Sequence, residues 1–308
     1  MDKKTQGTLE MSAAMAISGT IGWFVVQSGL PALQVVFWRC AFGAVALGLV
    51  CWAMGLLRGV LTWRTALWAA LGGVAIVTNW LLLFGAYSHA SISIATAVYN
   101  TQPFMLVVFG ALLFGERVTL SKLGWLATAF AGMLLIVQAK PGAGIPGSDY
   151  TVGIAMALGA AFFWAVASVV AKRLTGTPPH LIALVQVAVG VLMLAPFAQL
   201  GTPPQGTSTW LILLTLGVVH TGLMYILLYG AVQKLPTYLQ GALSFIYPVV
   251  AIGVDFVAFG HRLQPAQWAG AAAILLAAAA MNRQALGRDQ RASPTSATPA
   301  IATGSKPR

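Results

Sequence analysis

Charge is what this sequence has least of. Asp, Glu, Lys and Arg make up 7% of its 308 residues, and only six of them are acids. A soluble domain carries roughly a quarter charged residues, so there is too little polar surface here to face water. With 58% hydrophobic residues and a mean hydropathy of +0.83, most of the chain must be solvated by lipid. Cysteine is almost absent as well. Cys40 and Cys51 lie eleven residues apart on one predicted helix, about 16 Å along its axis, too far to bridge. A disulfide framework is excluded, and both thiols read as small apolar packing groups. No phosphate loop or serine-nucleophile elbow is present. His89, His180, His220 and His261 are scattered over loops and one span, poor geometry for a metal, so neither a metal nor a cofactor is expected.

What is present is apolar length. A membrane-spanning helix needs about 20 predominantly apolar residues. The sequence predicts spans near 9–29, 32–56, 66–87, 90–114, 121–139, 151–171, 180–200, 210–230, 237–259 and 264–282, separated by polar, Gly or Pro residues. Met1 to Gly7 is short and polar, so the first span is expected to stay as an uncleaved anchor. From Arg283 the chain turns to Arg, Ser, Thr, Pro and Ala, the composition of a disordered cytoplasmic tail. The net charge of +11 sorts by topology rather than into a basic stripe, so no nucleic-acid partner is expected. With the N-terminus inside, the inner segments hold Lys3, Lys4, Arg58, Arg64, Arg117, Lys122, Lys172, Arg173, Lys234, Arg283, Arg288, Arg291, Lys306 and Arg308. The outer loops hold only Lys140 and Arg262, while Arg39 lies inside a span. An extra or missing helix would invert every later loop, so the positive-inside rule supports both the count and an N-in/C-in orientation.

A shift of 145 residues matches the chain to itself without gaps from the third span into the loop after the fourth. Leu71-Gly72 falls on Leu216-Gly217, Gly85-Ala86 on Gly230-Ala231, Pro103 on Pro248, and Phe114-Gly115 with Arg117 on Phe259-Gly260 with Arg262. Five spans per unit is an odd number, so the second unit must enter the membrane in the opposite sense. The fold class is therefore an all-α membrane protein of ten transmembrane helices in two inverted five-helix repeats, an architecture of many secondary transporters. The expected organisation is an N-terminal segment (1–8), repeats at 9–140 and 150–282, and a tail (283–308).

Several segments resemble the drug/metabolite transporter superfamily, and within it the ten-helix EamA-type exporters. They are LPALQVVFWRCAFGAVAL through Arg39, FGERVTLSKLGWLATAFAGMLLIV with Glu116, AAFFWAVASVVAKRL with Trp164, and SFIYPVVAIG with Pro248. The chain departs from that pattern at His261, where Glu is usual, and at Ser18-Gly19, where Trp-Gly is common. The resemblance covers about residues 9–282. It implies a bacterial inner-membrane, multi-pass exporter with a central cavity lined by spans 1, 3, 4, 6, 8 and 9, carrying amino acids or related metabolites.

Inside a span each polar group needs a partner or a wet cavity. Ser93, Thr96, Asn100 and Pro103 share one face of span 4, with Tyr99 beside them. Gln240, Ser244, Tyr247 and Asp255 recur along span 9. Pro103 and Pro248 mark kinks at matching places, either cavity-lining or structural. Trp23 and Gln27 on span 1, Asn79 and Trp80 on span 3, Trp164 and Ser168 on span 6, and Tyr225 on span 8 complete a candidate wall. Such a wall suits an aromatic or apolar solute with a polar end, although each ring could equally face lipid. His220, mid-span, is a candidate for substrate or proton binding, with a packing role as the alternative. Arg39 and Asp255 are expected to form an ion pair or an outer gate, with snorkelling of Arg39 as the alternative. Coupling to protons and facilitated diffusion both stand open, as do monomer and homodimer. A drug or quaternary-amine exporter is the second reading. Glu116, Arg117 and Lys122 form the one cluster an enzyme acting on a lipid-linked substrate could use, but they read more simply as a loop.

Overall fold

The runs of apolar residues between turn signals are too long for strands and apolar over most of their circumference, which is the pattern of helices surrounded by apolar neighbours. The computed structural model describes residues 2–57, 61–90, 92–138, 150–198, 203–259 and 264–292, and every element among them is helical. The first half contains α1 (Lys3–Ser28), α2 (Ala32–Ala53), α3 (Trp63–His89), α4 (Ile92–Tyr99), α5 (Gln102–Phe114) and α6 (Leu120–Gln138). The second contains α7 (Tyr150–Arg173), α8 (Pro179–Leu194), α9 (Thr207–Gly217), α10 (Met224–Lys234), α11 (Thr237–Ser244), α12 (Ile246–Phe259) and α13 (Pro265–Ala292). Seven helical stretches among the described residues are long and apolar enough to cross a membrane, and Gln102–Phe114 and Pro179–Leu194 are shorter apolar helices.

Local sequence sets the ends. The Asp2 carboxylate accepts from the Lys4 N–H at 3.1 Å and caps α1. That helix closes on Gly29 at φ 64°, a left-handed turn that glycine adopts without strain.

Three predicted spans are not continuous α-helices. Span 4 divides into α4 and α5, and span 9 into α11 and α12. Proline lacks an N–H and its ring clashes with the carbonyl four residues earlier. Those earlier residues are Tyr99 for Pro103 and Ser244 for Pro248, and they are the last residues of α4 and α11. Span 8 widens between α9 and α10 into a π-helical turn, Val218–Leu223. There the Thr221 hydroxyl donates to the Leu216 carbonyl five residues back, at 2.9 Å. The last helix runs to Ala292, past the predicted end at residue 282. Residues 293–308 of the expected tail lie outside the described residues, as do Lys140, His261 and Arg262.

The two halves interleave. α3 packs on α7 while α1 packs on α10, α2 lies on α8, α5 on α11, and α6 on α13. Glycines bring several of these crossings to backbone contact. A Cβ on Gly132 of α6 would sit 2.7 Å from the Gly270 carbonyl of α13, and a Cβ on Gly270 would meet the Gly132 carbonyl in turn. Without a hydrophobic drive between helices in lipid, such close packing is what holds them together. Gly72 and Gly217, related by the 145-residue shift, also leave room for close neighbours, the Gln186 side chain of α8 and Phe42 with the Gly43 N–H of α2. Large apolar side chains stay exposed on the outside, among them Leu112, Leu192 and Val257, which fits a lipid-facing surface.

Candidate functional site

The π-helical turn organises one polar centre. Its wider winding presents the His220 carbonyl and the Thr221 hydroxyl to Arg39 on α2. Arg39 Nε donates to Thr221 Oγ1 at 3.1 Å and Nη2 to the His220 carbonyl at 3.4 Å. The guanidinium carbon lies 4.4 Å from the centroid of the Trp80 ring. The Arg39 side chain is 2% exposed, and among the described residues it meets no carboxylate. A desolvated cation–π contact contributes about 2 kcal/mol and each hydrogen bond to a charge about 1.5–3 kcal/mol. The effective cost of burying an ion in a protein is several kcal/mol, so these contacts are of the same order as the penalty.

His220 is tied on both sides of its ring. Nδ1 faces the Thr215 carbonyl at 3.3 Å and Nε2 faces Thr20 Oγ1 at 2.7 Å. A carbonyl only accepts, so Nδ1 carries the proton, while the one Thr20 hydroxyl proton lies between Nε2 and the Ile17 carbonyl, 2.8 Å from Oγ1. Beyond Arg39, Trp80 of α3 meets Tyr225 of α10 edge-on at 5.9 Å, and Tyr225 meets Tyr229 at 5.2 Å. Trp80 and Tyr225 occupy matching positions under the 145-residue shift. The Tyr229 hydroxyl donates to Gln186 Oε1.

A second polar centre lies where α3 meets α7 and the break between α4 and α5. Asn79 Nδ2 donates to the Ala160 carbonyl at 2.7 Å and to the Tyr99 hydroxyl at 3.4 Å. Asn100 Nδ2 donates to the Thr96 carbonyl at 2.7 Å. These carbonyl partners fix the orientation of both amides. Their oxygens, Asn79 Oδ1 and Asn100 Oδ1, are buried acceptors without a donor among the described residues. An unmade buried hydrogen bond costs about 1–3 kcal/mol, so each such atom calls for a reason.

One end of the bundle is closed by polar ties between the halves. Glu116, in the loop after α5, accepts from Lys172 Nζ at 2.7 Å, and from the Thr237 N–H at 2.9 Å and its hydroxyl at 2.8 Å. It thereby caps α11 and pairs with the end of α7. Lys172 also donates to the Leu235 carbonyl at 2.9 Å. Glu10 of α1 pairs with Lys234 of α10 at 2.6 Å. Gln233 reaches the carbonyls of Leu174 and Thr177 at 3.3 and 3.0 Å.

The structure thus brings Arg39, Trp80, His220 and Tyr225 together, and separately Asn79 with Tyr99. Trp164 and Ser168 are buried on α7. Thr96 is half-buried and holds Asn100 through its carbonyl. Ser244 is buried but spends its hydroxyl locally, donating to the Gly241 carbonyl at 2.7 Å. Tyr247 and Trp23 are half-buried, Trp23 edge-on to Phe24 at 4.8 Å, and Gln27 is exposed. Pro248 is buried, and buried Pro103 abuts Gly241, where a Cβ would lie 3.0 Å from it. The Asp255 side chain lies outside the described residues, and so does its expected pairing with Arg39. Snorkelling of Arg39 is corrected: it turns inward because Thr221, His220 and Trp80 offer better partners than the rim. Of the loop cluster, Lys122 donates to the Arg117 carbonyl at 2.6 Å and stacks on Tyr238 at 3.7 Å, while Glu116 is engaged elsewhere.

Sequence reasoning missed Thr20, Thr221, Gln186 and Lys172 as site-forming residues. The signal for Thr221 was slight, a hydroxyl next to a mid-span histidine. Lys172 was legible only as a topological charge.

The model of the EamA-like transporter family matches residues 7–138 and again 151–283. The chain is 29% identical over 268 residues to the uncharacterized transporter YxxF of Bacillus subtilis, covering 84% of each chain. It is 26% identical to the riboflavin transporter of Vibrio cholerae, over 89% of this chain and 92% of that one. A probable amino-acid metabolite efflux pump of Salmonella typhimurium is 28% identical, over 59% of this chain and 64% of its own. A crystal structure 24% identical in sequence shares the fold, with a TM-score of 0.79 over 93% of this chain and 99% of that one. Matched by the family unit in both halves, and by transporter relatives over most of its length, this multi-pass membrane protein is a transporter and belongs to the EamA-like transporter family.

Proposed function

We propose that the protein is a secondary transporter that exports small metabolites across a bacterial inner membrane by alternating access, with amino acids or related, including aromatic, compounds as cargo. The observation that carries this reading is the contact of Trp80 of one half with Tyr225 of the other, beside Arg39, with a second polar centre at the α4–α5 break that holds the buried acceptors Asn79 Oδ1 and Asn100 Oδ1. Aromatic faces bury the apolar part of a solute, and a few fixed polar groups orient its head. His220, Tyr99, Thr96, Trp164 and Ser168 belong to the same proposed pathway. Ser244, Tyr247, Trp23 and Gln27 lie along it on the partner helices.

The proposal includes ten transmembrane helices, two inverted five-helix repeats (9–140 and 150–282), and both termini in the cytoplasm. In that orientation the Glu116–Lys172 and Glu10–Lys234 ties lie at the cytoplasmic side and close it. Breaking these ties while α4–α5 and α11–α12 flex at Pro103 and Pro248 would open it. A buried Arg39 that meets no carboxylate among the described residues argues against the second reading, export of drugs or quaternary amines, because a cationic cargo would meet a like charge.

The test is counterflow in proteoliposomes loaded with labelled amino acids, amines, sugars and nucleosides. Exchange of at least one amino acid or close relative is expected. Functional protein that exchanges no member of the panel would overturn the metabolite reading. Repeating the assay across a pH step separates proton coupling from facilitated diffusion.

A further inference from the structure

The Arg39 guanidinium has more donors than the structure uses. Of five N–H groups, Nε–H bonds Thr221 Oγ1 and one Nη2–H bonds the His220 carbonyl. The Nη1 edge has no acceptor among the described residues. The acids with described side chains are engaged elsewhere: Asp2 caps α1, Glu10 pairs with Lys234, and Glu116 pairs with Lys172 and caps α11. A buried positive charge held by a hydroxyl, a carbonyl and the Trp80 face, and with no anion among the described residues, is prepared to receive one. Its remaining N–H groups lie on the planar outer fork, which matches the two oxygens of a carboxylate. The ring against which the guanidinium lies is one of the aromatic groups of the proposed pathway.

We infer that Arg39 is the receptor for the carboxylate of the transported solute, with Trp80 and Tyr225 flanking the solute's apolar part. The inference rests on the transport reading and narrows it to carboxylate-bearing cargo. The π-helical turn then has a purpose. A regular helix would not offer Arg39 both the His220 carbonyl and the Thr221 hydroxyl, and with that edge satisfied the Nη1 edge is left without an acceptor among the described residues. When empty, the site holds a cation without a counter-ion among the described residues; when filled, the charge is neutralised inside the low-dielectric core. Binding therefore favours an anion over a neutral solute of the same shape.

The full chain in lipid nanodiscs tests this with probe pairs that differ only at the carboxylate: L-phenylalanine and its amide, L-tryptophan and its amide, benzoate and benzamide. Binding is read by titration calorimetry and by the ligand-induced rise in melting temperature. At least one carboxylate is expected to bind about tenfold or more tightly than its amide, the size of one charge-assisted contact. Arg39→Gln should bring that ratio close to one. Arg39→Lys, which keeps the charge and loses the fork, should fall between. A purely structural arginine would lower the melting temperature of the empty variant without moving the ratio. If Arg39→Gln does not fold, the wild-type ratio and Arg39→Lys still decide. Equal binding within every pair, no binding by any of the six probes, or a preference that survives in Arg39→Gln would overturn the inference. So would a carboxylate preference that emerges only in Asp255→Asn, because Asp255 would then be the occupant of the fork. Exchange of an amine cargo in the counterflow assay, without any carboxylate preference, would sink the role of Arg39 and leave the transporter intact.

Discussion

At the scale of single residues, Glu116 shows how one carboxylate can serve two structural ends. It neutralises Lys172 at the end of α7 and caps α11 through Thr237. Gly110 leaves the room for this, since a Cβ there would collide with the Thr237 hydroxyl and lie 3.2 Å from Glu116 Oε2. Both partners of the ion pair are 15% exposed, so water screens the pair less than at an open surface and its loss should be measurable. Glu116→Gln is expected to cost roughly 1–3 kcal/mol, the range for a charged hydrogen bond whose partner is left behind. Lys172→Met in that background should cost less than it does alone, because the charge it removes no longer has a partner. A double-mutant cycle from denaturant melts of the solubilised protein checks this, with a coupling of about 0.5–3 kcal/mol expected. Additive losses would mean that the two residues do not interact.

At the scale of helices, the crossing of α6 over α13 depends on Gly132 and Gly270, each placed against the other's carbonyl. Leucine at either position pushes backbone away from backbone, and overpacking of this kind costs about 1–3 kcal/mol. Gly132→Leu and Gly270→Leu should each lower the melting temperature. The double variant should lose less than the sum, since the first substitution already opens the crossing. Additive shifts would show that the two helices meet elsewhere.

Helices were the most legible part of this sequence, because length and apolar content decide them. Their interruptions were legible only in part. Pro103 and Pro248 announced two breaks, since proline removes a donor wherever it sits. The π-helical turn at Val218–Leu223 had no such signature: it arises from Thr221 bonding backward, one of several arrangements open to a buried hydroxyl. The extension of α13 to Ala292 was missed because polarity was read as disorder, yet Arg283, Gln284, Ala285 and Leu286 are all good helix formers. In the candidate site, the matching of Trp80 to Tyr225 could be read from the repeat. The partners of Arg39 could not, since they come from a helix about 180 residues away.

At the scale of the whole molecule, the two ends of the bundle are held differently. The end that carries the start of α1 also carries the junctions α5–α6, α7–α8 and α10–α11. They are joined by Glu10–Lys234, Glu116–Lys172 and the contacts of Gln233. Where α2 and α9 begin, the contact is aromatic, with Trp38 edge-on to Trp210 at 4.8 Å. Ionic ties on one side and apolar ones on the other respond differently to salt and to cargo, so the orientation of the bundle decides which compartment can loosen the gate. The proposed N-in orientation puts Thr175, exposed after α7, in the cytoplasm and Gln205, exposed before α9, outside. One helix, α8, lies between them. With the buried thiols Cys40 and Cys51 replaced by alanine, Gln205→Cys should react with a membrane-impermeant maleimide on intact cells. Thr175→Cys should react only after the membrane is opened. The reverse pattern would turn the molecule over and make the ionic end the outer gate. Reaction of both from outside would mean that α8 does not cross, and the odd count of spans per repeat, on which the inversion of the second half depends, would fail with it.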